Sequence, residues 1–316
     1  MKYSFEKLLE YVRIDRNFHV DRYVQNKIRL LKIFLESNDL NTIVLPVSGG
    51  VDSAVVLALL TRAKNEIGKL LKVVPIFMPI HGDGITGQDE ARSRAKEVIE
   101  QQGYEFYELD LTGVYHEMVK AVKPFTHGIK TIPSDSSGVL SSWTKGQMAC
   151  ILRTPMNYFV AAILQQANYR SLVCGTTNRD EGSYIGFFGK ASDAMVDLQL
   201  IGDIHKSEVY QLAEYFQIPQ SIINEKPKGD VWDKRNDEQM IGAPYWFLEL
   251  YLRLIEMNKT HFSYDLNEEE KSLYGLYQSN IEQLHRVNSH KYQVGNPAHF
   301  IDVMPRIIDG GWQLKN

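Results

Sequence analysis

The stretch TIVLPVSGGVDSAVVLALL, residues 42–60, decides how the chain folds. Its first six residues, Thr42 to Val47, are apolar and β-branched without alternation, as in a strand buried on both faces. Ser48, Gly49 and Gly50 follow at once, and AVVLALLTRAKNEI then takes up the period of a helix. A glycine turn between strand and helix collects free backbone N–H groups at the positive helix end, which favours a phosphate. The two glycines let the backbone curl close to an anion, and Ser48 and Ser53 add hydroxyl donors. Phosphate would repel Asp52 unless a cation lay between them, so the loop predicts Mg2+. The plainer reading is a tight turn in which Asp52 and Ser53 merely cap the helix. The loop is not the Walker pattern, which needs a Lys after its glycines.

Outward from this stretch the alternation repeats. KVVPIFMPI (72–80) reads as a second strand and DEARSRAKEVIEQQG (89–103) as a helix ending on Gly103. YEFYELDL (104–111) is a third strand, and a helix over 146–167 precedes SLVCGT (171–176), a fourth. Buried strands alternating with helices predict an α/β fold, a parallel sheet flanked by helices on both faces. Residues 4–37 read as two amphipathic helices, broken at Asn38 and Asp39. From about residue 207 the chain reads as mostly helical, with loops rich in Lys, Asp, Gly and Pro at 225–237. Residues 286–316 read as irregular. One domain over 1–316 is expected: N-terminal helices (1–40), a nucleotide-binding core (41–206), and a helical and irregular C-terminal part (207–316).

Composition narrows the class of partner. The 35 basic and 39 acidic residues leave a formal charge of -4, so no nucleic-acid partner is expected. Two cysteines, Cys150 and Cys174, cannot build a disulfide framework; they read as small core residues in a reducing compartment. The N-terminus lacks a signal-peptide core, and no run approaches the roughly 18 apolar residues of a membrane span. No membrane partner and a cytoplasmic location are therefore expected.

The six residues 48–53 match the pyrophosphatase loop of the ATP pyrophosphatases, enzymes that split ATP into AMP and pyrophosphate while activating a substrate oxygen. Further on, the fourth strand ends in Cys174-Gly175-Thr176-Thr177-Asn178-Arg179-Asp180-Glu181. Gly186-Phe187-Phe188-Gly189-Lys190, Asp193, Asp197 and Lys206 come next, and His290-Lys291 lies near the end. In this order the motifs resemble the ammonia-dependent NAD synthetases over about residues 25–300.

The resemblance implies a Rossmann-like, adenine nucleotide alpha hydrolase-like sheet with helical additions at both ends. It implies amidation of deamido-NAD by ammonia through an adenylated intermediate, with ATP as co-substrate. Carried over residue by residue, Pro46, Val47, Ser48, Gly49, Gly50, Val51, Asp52 and Ser53 would hold ATP phosphates. Thr176 and Lys206 would also contact ATP, and Asp52 with Glu181 would bind Mg2+. Arg153, Lys190, Asp197, His290 and Lys291 would meet deamido-NAD. No protein nucleophile is expected, because the second step needs only an adenylated carboxylate and ammonia held in line. A homodimer is implied too, and the aromatic, apolar stretch 245–255 reads as a face that one chain would not cover.

Each candidate also has a plainer explanation: Glu181 as a loop cap, Lys190 and Lys206 as solvated charges, Asp197 as the partner of one of them, and His290-Lys291 as an exposed dipeptide. The chain departs from the family pattern in four places. Pro155 stands where a second arginine is usual, Ala191-Ser192-Asp193-Ala194 where tyrosine-glycine-aspartate-glycine is usual, Lys228 where threonine or serine is common, and Tyr292 where arginine follows the histidine-lysine pair. All four lie in stretches expected near the acceptor, so two further readings stay open. One is a pyrophosphatase-loop enzyme amidating or thiolating another acceptor; the other is a nucleotide-binding protein without catalysis. The synthetase-like region begins by about residue 25, and no cysteine follows residue 230. Free ammonia rather than glutamine is therefore the expected nitrogen source.

Overall fold

In the computed structural model the described residues are 4–68, 71–82, 85, 87–127, 141–227, 235–259, 266–292 and 299–300. Two helices, α1 (Phe5–Arg16) and α2 (Val20–Ser37), precede strand β1 (Thr42–Pro46) and helix α3 (Val51–Ile67). Next come β2 (Lys72–Phe77), α4 (Gln88–Gln101), β3 (Tyr107–Glu108), α5 (Thr112–His127) and α6 (Ser142–Gln166). The chain continues through β4 (Ser171–Gly175), α7 (Arg179–Gly182), β5 (Leu198–Gln199), α8 (Lys206–Tyr215) and α9 (Gln220–Ile223). Helices α10 (Asp237–Ile241), α11 (Tyr245–Glu256) and α12 (Glu268–Asn288) follow, and β6 (His299–Phe300) completes the described elements. The described helices include none long and apolar enough to cross a membrane.

The strands form one sheet in the order β3-β2-β1-β4-β5-β6, and every pairing is parallel. Ile43 pairs with Val73 on one side and Leu172 on the other, which puts β1 at the centre. Its side chains alternate between two cores: Ile43 and Leu45 pack with α2, α3 and α8, while Val44 packs with residues of α6. Both faces are thus covered, which is why the run 42–47 shows no polar alternation. Strand order reverses between β1 and β4, and the crevice beyond their carboxyl ends is where such sheets bind ligands. The glycine turn after β1 and the Thr176–Asn178 turn after β4 flank that crevice.

Several expectations need correcting. Only Tyr107 and Glu108 of the third run pair as a strand, and both lie exposed at the sheet edge. Two-residue strands β5 and β6 carry no pattern long enough to read in sequence. Helix α12 runs to Asn288 and so takes in the first three residues of the segment read as irregular. Asn267 caps its start, Glu268 to Glu270 suit its positive end, and His285 and Arg286 suit its negative end. The segment 245–255 is not a bare face either. Phe247, Leu248, Leu250, Leu252 and Leu254 are buried within the chain, in a second core with Leu8 and Val12 of α1 and Ile281 of α12. Lys228, most of 225–237, and 301–316 lie outside the described residues.

A buried ionic joint fastens α1 and α2 to the start of α8. Lys27, fully buried, donates to Asp203 Oδ1 at 2.8 Å, and the Tyr23 hydroxyl donates to the same oxygen at 2.9 Å. Arg16 donates to the Asp203 carbonyl at 2.6 Å and to Glu208 at 2.9 and 3.1 Å. A buried carboxylate that loses its cation keeps its desolvation cost without compensation. Lys27→Met should therefore lower unfolding free energy by about 3–5 kcal/mol, measured by urea titration. A loss below about 1 kcal/mol, the range of exposed pairs, would show that Lys27 and Asp203 are not coupled.

Candidate functional site

The turn after β1 is shaped by contacts only this sequence provides. Val47 donates to the Ile76 carbonyl at 2.8 Å, which fixes the strand end. Ser53 Oγ donates to the Gly50 carbonyl at 2.9 Å and accepts from Ser48 N–H at 3.2 Å, while Ser48 Oγ accepts from Gly50 N–H at 3.3 Å. Gly49 sits at φ +81°, and a Cβ there would stand 2.4 Å from the Ala91 carbonyl oxygen of α4. No other residue fits without shifting backbone. Arg94, which sequence reasoning missed, donates from Nε to the Gly49 carbonyl at 3.0 Å and pairs with Glu225 at 3.5 Å.

Across the crevice, Asn178 caps the short helix α7 by accepting from Glu181 N–H at 3.2 Å. Its Nδ2 donates to Asp52 Oδ1 at 2.9 Å, joining the two turns directly. Lys206, the first residue of α8, completes the joint: its ammonium lies 2.5 Å from Asp52 Oδ2 and 3.1 Å from Glu181 Oε1. Asp180 holds Lys206 in place by accepting its backbone N–H at 2.7 Å, and Asp180 Oδ1 is 2.6 Å from His205 Nδ1. The solvated-charge reading of Lys206 therefore fails, since its side chain is 4% exposed.

Burial sets the electrostatics. It works to lower the Lys206 pKa, but the Asp52 and Glu181 carboxylates outweigh it and hold the ammonium above its ordinary value. Burial raises the Glu181 pKa; Lys206 opposes this, and Asp52 and Asp237 reinforce it. Asp180 is pushed up to about 7 by burial, and burial pushes His205 down to about 4, so that ring is neutral near pH 7. A second cation would relieve Asp52 and Glu181. They are hard oxygen donors from different loops converging on one point, a pair that suits Mg2+ with phosphate oxygens and water completing its shell. Among the described residues no group of three or more His, Cys, Asp or Glu is arranged to hold a metal.

The remaining candidates fall in three places. Thr176, half-buried, follows the last residue of β4, beside the crevice. Arg153 of α6 donates to the Met78 carbonyl at 3.1 Å and to Gln88 at 3.4 Å, beyond the end of β2. Asp197 accepts from Val173 N–H at 2.8 Å and from the Tyr158 hydroxyl at 3.2 Å, rather than from Lys190 or Lys206. Lys190, His290 and Lys291 are drawn together at the chain's far end. Lys190 donates to the His290 carbonyl at 3.3 Å, and Lys291 donates to the carbonyls of Gly186 and Phe188 at 2.9 and 2.7 Å. Tyr292, one of the departures, packs edge-on against Phe188 with centroids 5.6 Å apart. Of the other departures, Pro155 is exposed on α6, and Asp193 accepts from Gly189 N–H and the Ser192 hydroxyl.

Two residues of the cluster had no signal in the sequence. The Tyr245 hydroxyl donates to Glu181 Oε1 at 2.8 Å and lies 3.3 Å from Asp237 Oδ2. Both residues lie more than 180 positions beyond Asp52, and the cue at Asn236-x-x-Gln239 marks only a helix start. Cys174 is fully buried and Cys150 partly so, and burial pushes the Cys174 thiol up to about 12. A thiol that stays protonated is a poor nucleophile, which disfavours sulfur transfer.

A family model described as NAD synthase matches residues 23–295. The NH(3)-dependent NAD(+) synthetase of Syntrophomonas wolfei is 32% identical over 210 residues, 66% of this chain and 75% of the relative. An NMN synthetase structure from Francisella tularensis superposes with TM-score 0.69 at 23% identity, over 89% of this chain and 98% of that one. The NH3-dependent NAD synthetase of Campylobacter jejuni gives 0.62 at 19% identity, over 88% and 98%. These two likenesses speak for the fold.

Gly49→Ala tests the glycine turn. A side chain forced into positive φ against the Ala91 carbonyl should cost about 1–3 kcal/mol of stability and weaken ATP binding, both read by thermal melts with and without ATP. Unchanged stability would show that α4 does not constrain the turn.

Proposed function

We infer the activity of this chain from the premise that it belongs to the NAD synthase family. It amidates deamido-NAD to NAD with ATP and ammonia, releasing AMP and pyrophosphate, and is a ligase forming a C–N bond. The observation that carries this reading is the meeting of Asp52, Glu181 and Lys206 at the carboxyl edge of β1 and β4.

The first step joins a carboxylate oxygen of deamido-NAD to the α-phosphate of ATP and breaks the bond to pyrophosphate. N–H groups in the first turn of α3 and the Ser48 and Ser53 hydroxyls would hold the phosphates, with Thr176 beside them. Asp52 and Glu181 would hold Mg2+, which when bound would supply positive charge to offset the negative charge developing on the leaving group. Lys206 would turn its positive charge toward the departing pyrophosphate. Ammonia then adds to the adenylated carboxyl carbon, the C–N bond forms, one ammonia proton is lost to solvent, and AMP leaves with the former acid oxygen. Arg153 and the basic corner of Lys190, His290 and Lys291 would bind the acidic dinucleotide, with Asp197 offering an acceptor to its hydroxyl or amide groups.

Hydrolysis of glutamine would need a thiolate or an equivalent nucleophile. Burial pushes the Cys174 thiol up to about 12, and the similar Syntrophomonas wolfei enzyme is an NH(3)-dependent synthetase, so free ammonia is the donor on this reading. Two free thiols fit a reducing, cytoplasmic setting. The chain is also proposed to pair with a second copy. Ile151, Phe159 and Ile163 of α6 are 40, 60 and 49% exposed, and their spacing keeps them within one broad helix face. A strictly monomeric mass at assay concentration, with full activity, would remove the dimer.

The function is tested by incubating the protein with ATP, Mg2+, deamido-NAD and either ammonium or ammonia-free glutamine. NAD and pyrophosphate should appear in equal amounts with ammonium and not with glutamine. Asp52→Asn should slow both products by about 100-fold or more while the protein stays folded. Absence of NAD with the wild-type protein, or full activity of Asp52→Asn, would overturn the reading.

A further inference from the structure

Glu181 is gripped on one side by Lys206, a residue the reaction calls away toward phosphate, and something else must hold its carboxylate. The segment 236–245 supplies the hold. Asn236 and Gln239 form a reciprocal cap on α10, which fixes where Asp237 and Glu238 point. Glu238 accepts the Tyr245 backbone N–H at 2.8 Å and so seats the first residue of α11. Gly242, at φ +74°, turns the chain between the two helices, and Asn280 of α12 donates to its carbonyl at 2.8 Å. Tyr245 is 8% exposed, with its ring 5.1 Å from the Lys206 ammonium. A phenol has one proton, and the 2.8 Å contact places it on Glu181 Oε1 rather than on Asp237 at 3.3 Å. Lys206 also meets Oε1. Both described contacts of this carboxylate therefore fall on one oxygen, which leaves Oε2 for a further ligand.

We propose that Tyr245, seated by Glu238, is the positioning residue that keeps Glu181 aimed at a divalent cation when Lys206 engages phosphate. The proposal rests on the ATP- and Mg2+-dependent reading above. Its logic is that of an outer-shell hydrogen bond, which orients a metal-binding carboxylate without touching the metal.

The test uses the full chain, Mn2+ as the spectroscopic probe, and Tyr245→Phe, which keeps the ring over Lys206. Bound Mn2+ is read by electron paramagnetic resonance in the presence of ATP. Tyr245→Phe should weaken Mn2+ binding about tenfold, with ATP affinity in EDTA unchanged. The apparent KM for Mg2+ in NAD formation should rise by the same factor, with kcat falling less than about threefold. Glu238→Ala, which removes the acceptor of the Tyr245 backbone N–H, should move Mn2+ affinity the same way, and carries the test if Tyr245→Phe does not fold. Wild-type Mn2+ affinity in a folded variant, or loss of kcat at every Mg2+ concentration with Mn2+ binding intact, overturns the proposal. If the wild-type protein makes no NAD yet Tyr245→Phe still weakens Mn2+ binding, the acceptor reading fails and the positioning role stands. No Mn2+ binding by the wild-type protein with ATP sinks both.

Discussion

The ammonium of Lys206 is the joint on which the site depends. Asp52 arrives from the turn after β1, Glu181 from the turn after β4, and a parallel sheet only brings those turns side by side. Two largely buried carboxylates facing each other would repel. With the lysine between them, each charge gains a partner at hydrogen-bond distance, which offsets the cost of leaving water. On the proposed function the same pair would receive a cation that arrives with phosphate, and Lys206 would turn to the phosphates only when that charge replaces it between the carboxylates.

Three consecutive residues carry that joint into the rest of the fold. Arg179 pairs with Glu256 of α11, Asp180 meets the His205 ring and the Lys206 backbone N–H, and Glu181 faces the crevice. Glu256 also pairs with Arg253, which reaches Asp15 of α1. Arg13 of α1 adds a two-pronged contact with Glu249 at 2.6 and 2.8 Å. Helix α1 precedes the span matched by the family, yet it supplies partners to the network behind the site. Buried pairs of this kind add little net stability, but removing one member leaves a stranded charge. The network therefore acts as a set of mutual constraints on where Glu181 and Lys206 stand.

The basic corner around Lys190 and Lys291 is built differently, from backbone carbonyls and packing. Asn288 donates to the Ile185 carbonyl at 2.8 Å, and a Cβ on Gly186 would stand 2.8 Å from Asn288 Cβ. With Lys291 on the Gly186 and Phe188 carbonyls, the end of α12 clamps the Phe187-Phe188 loop. Burial lowers the Lys291 pKa, and Asp193 pulls it back. A loop held by hydrogen bonds to carbonyls keeps its shape while its charged side chains, Lys190 among them, remain exposed.

Much of this was legible in the chain itself. The unbroken apolar run 42–47 determined a central, doubly covered strand, because only burial on both faces removes polar alternation. The Ser48–Ser53 turn pointed to an anion site, because glycine and a helix start leave N–H groups unpaired, and Asp52 within it pointed to a cation. Glu181 and Lys206 were named through order along the chain, but their meeting is a property of the parallel sheet. Strands β5 and β6 were invisible at two residues each, since their pairing comes from neighbours rather than from their own pattern. The segment 245–255 looked uncovered because its apolar face is answered by Leu8, Val12 and Ile281, residues remote in sequence. Tyr245 and Asp237 stayed hidden for the same reason: a phenol and a carboxylate acquire a role only when long-range packing sets them 2.8 and 3.3 Å apart from their partners. Local order fixes which groups a turn can offer, and tertiary packing alone decides which distant charges it must share a small volume with.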